Sequence, residues 1–300
     1  MAVVATGFFD GVHLGHRRVI RTLVSSAREK GEEAIVVTFS QHPRAVLQQD
    51  AHNLRLLNAP QEKEMRLRAL GVDRVEALPF DRMFAGLTAQ AYLHEVLQER
   101  LGATMLVLGY DNRLGSDRLM PGQIAPIARA CGLEVLVVPP TEAVLPDGSR
   151  TAVSSTKIRE LLSGGEVGRA AAMLGYPYSL RGVVTGGKQL GRVLGFPTAN
   201  LRLYDPMKLI PARGAYLCGV EVLGRRYDGM THVGDVIETH IFDFSEDIYG
   251  LDLSLSFRRR LRDVMRFDSL DALKARLAED AAVCRALLKS ESGQDFRFQK

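Results

Sequence analysis

A short apolar run, Ala2–Ala5, ends in Gly7-Phe8-Phe9-Asp10-Gly11-Val12-His13-Leu14-Gly15-His16, after which Val19, Ile20, Leu23, Val24 and Ala27 recur at helical spacing. This succession predicts a strand, a glycine-rich turn and an amphipathic helix. Glycines at 7, 11 and 15 let the backbone approach a ligand closely, and the free N–H groups at the helix start favour an anion, phosphate above all. His13 and His16 are three residues apart, so both imidazoles lean to one side of the turn, where they can donate to phosphoryl oxygens. The plainer alternative is a glycine turn carrying two surface histidines.

From residue 1 to about 175, strand-like runs at Ala34–Phe39, Met105–Leu108 and Leu133–Val138 alternate with helix-periodic segments. The clearest of these is Thr88 to Leu101, where Tyr92, Leu93, Val96, Leu97 and Leu101 share a face and Gly102 supplies a stop. The alternation predicts an α/β domain with a parallel sheet, helices on both faces and ligands at the C-terminal strand ends. The Gly7–His16 turn lies at such an end. So does Gly109-Tyr110-Asp111-Asn112-Arg113-Leu114-Gly115, which follows the Met105–Leu108 run, although a glycine-bounded loop is the simple reading of it. Val153-Ser154-Ser155-Thr156-Lys157-Ile158-Arg159 reads as a helix start whose hydroxyls cap N–H groups or bond phosphate, with cationic donors close behind.

After Gly175-Tyr176-Pro177 the pattern changes to strand after strand. Leu251–Phe257 alternates throughout, and Ala215–Leu223 and Ile237–Phe244 are further strands, which predicts a small antiparallel barrel. In Ile237–Phe244, Ile237, Thr239, Ile241 and Asp243 face one way, and Glu238, His240, Phe242 and Phe244 the other. A late helix opened by Ser269 places Leu270, Leu273, Leu277, Cys284 and Leu288 on one stripe. The domains expected are 1–175 and 176–300.

Composition bounds the partners. A net charge of +4 and a pI near 9.0 suit small anionic ligands, and the interspersed charges argue against a nucleic-acid surface. Cys131, Cys218 and Cys284 are too scattered for a disulfide framework or a zinc site, and they predict buried thiols in a reducing cytoplasm. Asp10 interrupts the first apolar stretch, and no run approaches the roughly 20 apolar residues of a membrane helix. No signal peptide, span or membrane partner is therefore expected. Oligomeric state is not addressed by these features.

Gly7–His16 resembles the His-x-Gly-His signature of the nucleotidyltransferase superfamily, in the wording of its FMN adenylyltransferase branch. The 109–115 segment is similar to that branch's Gly-Tyr-Asp-Phe-Arg-Phe-Gly, with Asn112 and Leu114 where phenylalanines are usual, and 154–159 resembles its Ser-Ser-Thr-x-Ile-Arg. Gly195-Phe196-Pro197-Thr198-Ala199-Asn200 resembles the riboflavin kinase signature, and Glu238–Phe244 with Asp247–Gly250 resembles the catalytic strand of those kinases. Together they resemble the bacterial bifunctional riboflavin kinase/FAD synthetase family over nearly the whole chain.

That resemblance implies two ATP-dependent steps, riboflavin to FMN and FMN to FAD, with Mg²⁺ as cofactor. It implies that His13 and His16 stabilise the α-phosphate of ATP while pyrophosphate leaves, with Gly7, Phe8, Asp10, Gly11, Ser155, Thr156 and Arg159 completing that site. Asp111 and Arg113 fall on the flavin side. In the kinase, Gly187 and Lys188 are phosphate-loop residues, Thr198 and Asn200 hold Mg²⁺ and ATP phosphate, and Glu238 accepts the proton of the riboflavin 5′-hydroxyl. Arg262 and Phe267 resemble flavin-side positions. The family's Asn-x-Gly-x-Arg-Pro-Thr segment is shortened here to Thr231-His232-Val233-Gly234, running into Asp235-Val236-Ile237-Glu238; Gly-Asp suggests a two-residue hairpin. The shortening raises the alternative of a barrel that only binds flavin. A cytidylyl- or pantetheine-phosphate-directed transferase would share the histidines but leave the second domain unexplained.

Overall fold

The computed structural model describes residues 1–42, 46, 54–187 and 190–292. The chain falls into two compact units, one comprising Met1–Val144 and Ser149–Ser155, the other Leu145–Gly148 and the chain from Thr156 onward. This contact boundary lies ahead of the change in sequence pattern at Gly175, with two helices between the two points.

In the first unit, β1 (Ala2–Thr6), β2 (Glu33–Phe39), β3 (Arg74–Leu78), β4 (Ala103–Gly109) and β5 (Glu134–Val138) form an all-parallel sheet in the order β3-β2-β1-β4-β5. Helix α1 (Leu14–Lys30) connects β1 to β2, and α2 (Pro60–Arg68) precedes β3. Two short helices, α3 (Arg82–Ala85) and α4 (Ala89–Ala91), lead into wider π turns over Tyr92–Arg100; α5 (Pro121–Ala130) then connects β4 to β5. Sheet alternation divides the core in two. Val4, Ile35 and Leu106 pack on one face with Tyr92, Leu93 and Leu97; Val3, Ala5, Val36 and Val107 pack on the other with Ile20 and Leu23 of α1. Chain direction across the sheet reverses at β1 and β4, so the β1–α1 turn opens at a topological switch point. Small strands β6 (Glu142–Val144) and β7 (Arg150–Ala152) pair outside this sheet.

The second unit has helices α6 (Ser155–Ser163) and α7 (Val167–Leu174), the former beginning at the last residue of the first unit, and a barrel. The barrel closes in the order β10-β11-β12-β9-β8-β13, from β8 (Ser179–Thr185), β9 (Ala199–Leu203), β10 (Gly214–Val222), β11 (Arg225–Val233), β12 (Ile237–Ile241) and β13 (Asp252–Arg262). A one-turn helix, α8 (Leu190–Val193), precedes β9, and α9 (Leu270–Ser292) ends the described chain.

Three expectations need correction. β12 stops at Ile241 rather than Phe244, because Asp243 takes φ +55° and Phe242 turns into a small core with Leu217, Met230 and Cys284. The β11–β12 connection is the three residues Gly234–Val236 rather than two, closed by Gly234 N–H donating to Val236 C=O at 3.1 Å. Leu270 leaves the α9 stripe and is 54% exposed, whereas Cys284 is fully buried and Leu277 and Leu288 pack beside it.

Candidate active sites

In the first unit, β1 runs straight into a strained turn: Phe9 and Val12 have φ of +55° and +36°, and Gly11 +86°. Such conformations persist only where surroundings over-determine them. Here Asp10 does so. Its buried carboxylate accepts from the backbone N–H of Leu57 (2.9 and 3.1 Å) and of Asn58 (3.1 Å), and its carbonyl accepts from Ser155 Oγ–H at 2.8 Å. Asp10 and Ser155, both read as phosphate contacts from the sequence, thus brace the turn from below.

His13 is the N-cap of α1: its Nδ1 accepts from the N–H of His16 at 3.2 Å. That bond requires Nδ1 to be bare, so a neutral His13 carries its proton on Nε2. The His13 and His16 rings stack with centroids 3.6 Å apart and 13° between planes, and Phe9 meets His16 edge-on at 5.3 Å. A Cβ on Gly15 would stand 3.2 Å from the His13 ring, so the third glycine of the motif makes room for the stack. Burial, then the neighbouring charges of His13 and Lys63, hold His16 well below the usual histidine range. His16 Nδ1 is buried without a hydrogen-bond partner. The first turn of α1 carries no acidic side chain, leaving its dipole available to an anion.

Beside this turn lies a cavity of about 640 Å³. Phe39, Phe80, Phe84 and Tyr92 form its aromatic side, and Gly7, Phe8, Asn112 and Arg113 lie at its polar side. Tyr92 and Thr6 share a hydroxyl hydrogen bond of 2.8 Å, and burial pushes the Tyr92 phenol up. Asn112, standing where the resemblance leads one to expect phenylalanine, donates from Nδ2 to Thr6 C=O at 2.6 Å. The aromatic surface therefore comes from Phe80 and Phe84, a signal at i, i+4 spacing that sequence reasoning passed over. Asp111 and Arg113 are exposed, and of the two Arg113 lines the cavity. Thr156 is exposed and Arg159 half-buried on α6.

In the barrel, Glu238 on β12 is in register with Asn200 on β9 and with His232 on β11, a row across three adjacent strands. Glu238, His232, His240, Arg262 and Phe267 line one cavity of about 330 Å³; Arg192, Thr239, Asp247 and Tyr249 line another of about 360 Å³. Thr198 borders both. His240 Nδ1–H donates to Pro197 C=O at 2.9 Å, tying the Pro197-Thr198 turn to the Glu238 strand. Burial holds His232 below its ordinary range, Arg262 and Arg213 push it further down, and Glu238 opposes them. Around the Thr198–Asn200 pair the backbone is bare. A Cβ on Gly187 would reach 2.0 Å from Asn200 Nδ2, and one on Gly191 would stand 3.2 Å from Thr198 Oγ1 and 2.3 Å from Phe196 O. Lys188 lies outside the described residues.

Arg262 faces the Glu238 cavity, yet its guanidinium is largely engaged. Nε and Nη2 donate to the buried Asp280 carboxylate at 2.9 and 2.6 Å, and Arg276 donates to Asp280 from the same helix at 3.0 Å. The Arg262–Asp280 pair joins β13 to α9 and sets that wall of the cavity. Asp280, unremarkable in sequence, was not foreseen.

The family model for FAD synthetase matches residues 1–157, and that for riboflavin kinase matches residues 174–288. The chain is 34% identical over 296 residues to a bifunctional riboflavin kinase/FMN adenylyltransferase of Escherichia coli K12, covering 94% of this chain and 91% of that one. It is 30% identical over 296 residues to the protein of the same description from Bacillus subtilis 168, covering 93% and 90%. A crystal structure described as a macrolide-efflux protein from Streptococcus pneumoniae superposes with a TM-score of 0.87 at 34% identity, over 95% of this chain and 93% of that one. Among the described residues no helix is long and apolar enough to cross a membrane.

Proposed function

The chain belongs to the bifunctional riboflavin kinase/FMN adenylyltransferase family, and from that premise we propose how its residues divide the two reactions. It phosphorylates riboflavin to FMN and adenylylates FMN to FAD, using ATP in both steps. We assign adenylylation to residues 1–175 and phosphorylation to residues 176–300, the division at which the sequence pattern changes.

For adenylylation the carrying observation is the stacked His13–His16 pair at the uncompensated N-terminus of α1. The α-phosphate of ATP lies against that terminus. His13 Nε2–H and the imidazole of His16 donate to its oxygens as negative charge develops and pyrophosphate leaves. Gly7, Phe8 and Gly11 supply close-approaching backbone, while Asp10 and Ser155 hold the turn in its strained form. By the Ser-Ser-Thr-x-Ile-Arg resemblance, Thr156 and Arg159 are assigned as phosphate-binding residues. The isoalloxazine ring occupies the aromatic cavity of Phe39, Phe80, Phe84 and Tyr92, with Arg113 at its polar edge and Asp111 in the same loop. The FMN phosphate is the nucleophile; no covalent enzyme intermediate is required.

For phosphorylation the carrying observation is that Glu238 lines one cavity while Thr198 stands between it and the next. Riboflavin fills the Glu238 cavity against Phe267 and the Arg262–Asp280 wall, with its 5′-hydroxyl toward Glu238, which takes the proton. ATP lies on the other side of Thr198. The hydroxyl and amide oxygens of Thr198 and Asn200, cradled by Gly187 and Gly191, suit a hard cation that keeps water and phosphate oxygens as its other ligands, and they would hold Mg²⁺. When bound, that ion neutralises charge on the transferring phosphate chain. Lys188 serves the same phosphates. The working location is the cytoplasm, and the partners are riboflavin, FMN and ATP, with no nucleic acid.

Mixing two inactivated full-length variants tests the division. Glu238→Gln alone should convert FMN but not riboflavin, and His13→Asn alone should stop at FMN. Together they should make FAD from riboflavin through released FMN. No FAD from the mixture, with each single variant behaving as stated, would mean that the two steps are not separable in this way.

A further inference from the structure

Lys63, on α2, is 6% exposed. Its Nζ donates to Thr38 Oγ1 at 2.9 Å, to Phe8 C=O at 3.1 Å and to Phe39 C=O at 3.4 Å, and lies 4.0 Å from the centre of the Phe8 ring. Thr38 in turn donates to Phe8 C=O at 3.2 Å. All three acceptors are uncharged, and the carboxylate whose charge reaches Lys63 is that of Asp10. Burying an ammonium on neutral acceptors is costly, and a residue that only fastened two strands together would do so more cheaply without charge. The charge is held instead beneath the histidine turn, where a polyanion is received on the reading above.

We propose that Lys63 is a positioning residue of adenylyl transfer: it ties the Phe8 carbonyl of the histidine turn to the end of β2 and places a buried positive charge beneath the phosphate chain of ATP. The inference rests on the assignment of His13 and His16 to that phosphate. Of the titratable groups around Lys63, Asp10 on the turn acts on its charge and its charge acts on His16 at the start of α1, while His42 lies against the Phe8 ring that Lys63 also meets. Asp10, whose carboxylate also accepts from two backbone N–H groups, favours the charged form of Lys63. Burial outweighs it and brings the ammonium down to about 8. The lysine charge in turn favours the neutral form of His16.

Three full-length variants test this: Lys63→Met removes charge and donors, Lys63→Gln keeps a donor without charge, and Lys63→Arg keeps the charge. Lys63→Met and Lys63→Gln should lower kcat for FMN adenylylation by about 10–100-fold, with riboflavin phosphorylation unchanged, and Lys63→Arg should recover most of the loss. Imidazole resonances should show His16 titrating at higher pH in Lys63→Gln than in wild type. Wild-type adenylylation should fall as pH rises through about 8, and Lys63→Arg should not show that fall. If Lys63→Met does not fold, Lys63→Gln decides. Full adenylylation by Lys63→Gln with His13→Asn inactive would overturn the inference alone; full activity in both would overturn the phosphate reading beneath it.

Discussion

On the proposal above, His13 has two tasks that substitution can separate. Its Nδ1 caps α1 by accepting from His16 N–H at 3.2 Å, while its ring stacks on His16 at 3.6 Å and leaves Nε2–H for a ligand. Alanine removes everything: losing a side-chain cap costs about 1 kcal/mol, and losing an aromatic stack costs about 1 kcal/mol more. Asparagine retains a capping oxygen and gives up the stack and the outward donor. Stability of the first unit, read by urea unfolding, should therefore fall by about 2 kcal/mol in His13→Ala and about 1 kcal/mol in His13→Asn. Adenylylation should not follow that order. Loss of one preorganised donor to developing charge costs about 10²–10³ in rate, so both variants should lose that factor when FMN and ATP are supplied, with riboflavin phosphorylation intact. Near wild-type FAD formation by His13→Asn alongside a crippled His13→Ala would show that His13 is a helix cap and nothing more.

Glu238→Gln should abolish FMN formation while riboflavin still binds, because it preserves shape and deletes only proton acceptance; equal FMN formation by the two proteins would dismiss Glu238 as the base. His16 is held neutral in the folded protein, whereas the unfolded chain titrates near 6.5. As pH falls below about 6.5 the unfolded state takes up the extra proton, so the first unit should lose stability there and His16→Gln should flatten that dependence. An unchanged slope in the variant would contradict it. Asp280→Ala strands Arg262, 13% exposed, and Arg276, 30% exposed, and should cost the second unit about 3 kcal/mol, with Arg262→Met recovering part of it. A cost below about 1 kcal/mol would show that the pair is not buried in solution.

Much of the fold was legible because its periodicities are simple. β1 reads as a strand from its continuous apolar run, since both faces of a parallel sheet are buried, and Val3 and Val4 indeed enter opposite cores. β13 runs five residues past its alternating segment, to Arg262, because Arg258 and Arg262 find Asp228 and Asp280 there. No local pattern announces such long-range partners. The same applies to Lys63: within Gln-Glu-Lys-Glu it reads as a solvated helix position, and only the packing of α2 turns it under Phe8. In the histidine motif the residue types were readable but not their division of labour. Asp10 and Ser155 are indistinguishable from phosphate ligands until the N–H groups of Leu57 and Asn58 and the carbonyl of Asp10 are seen to occupy them. The shortened β11–β12 connection cast doubt on the kinase, but His232 there faces Glu238 in a closed barrel.

The central claim, two consecutive reactions on one chain, is tested most directly by a time course of the wild-type protein with riboflavin, ATP and Mg²⁺, resolving the flavins by chromatography. FMN should appear first and FAD should follow at its expense. Riboflavin bound but unchanged, or FMN accumulating with no FAD under saturating ATP, would contradict the account.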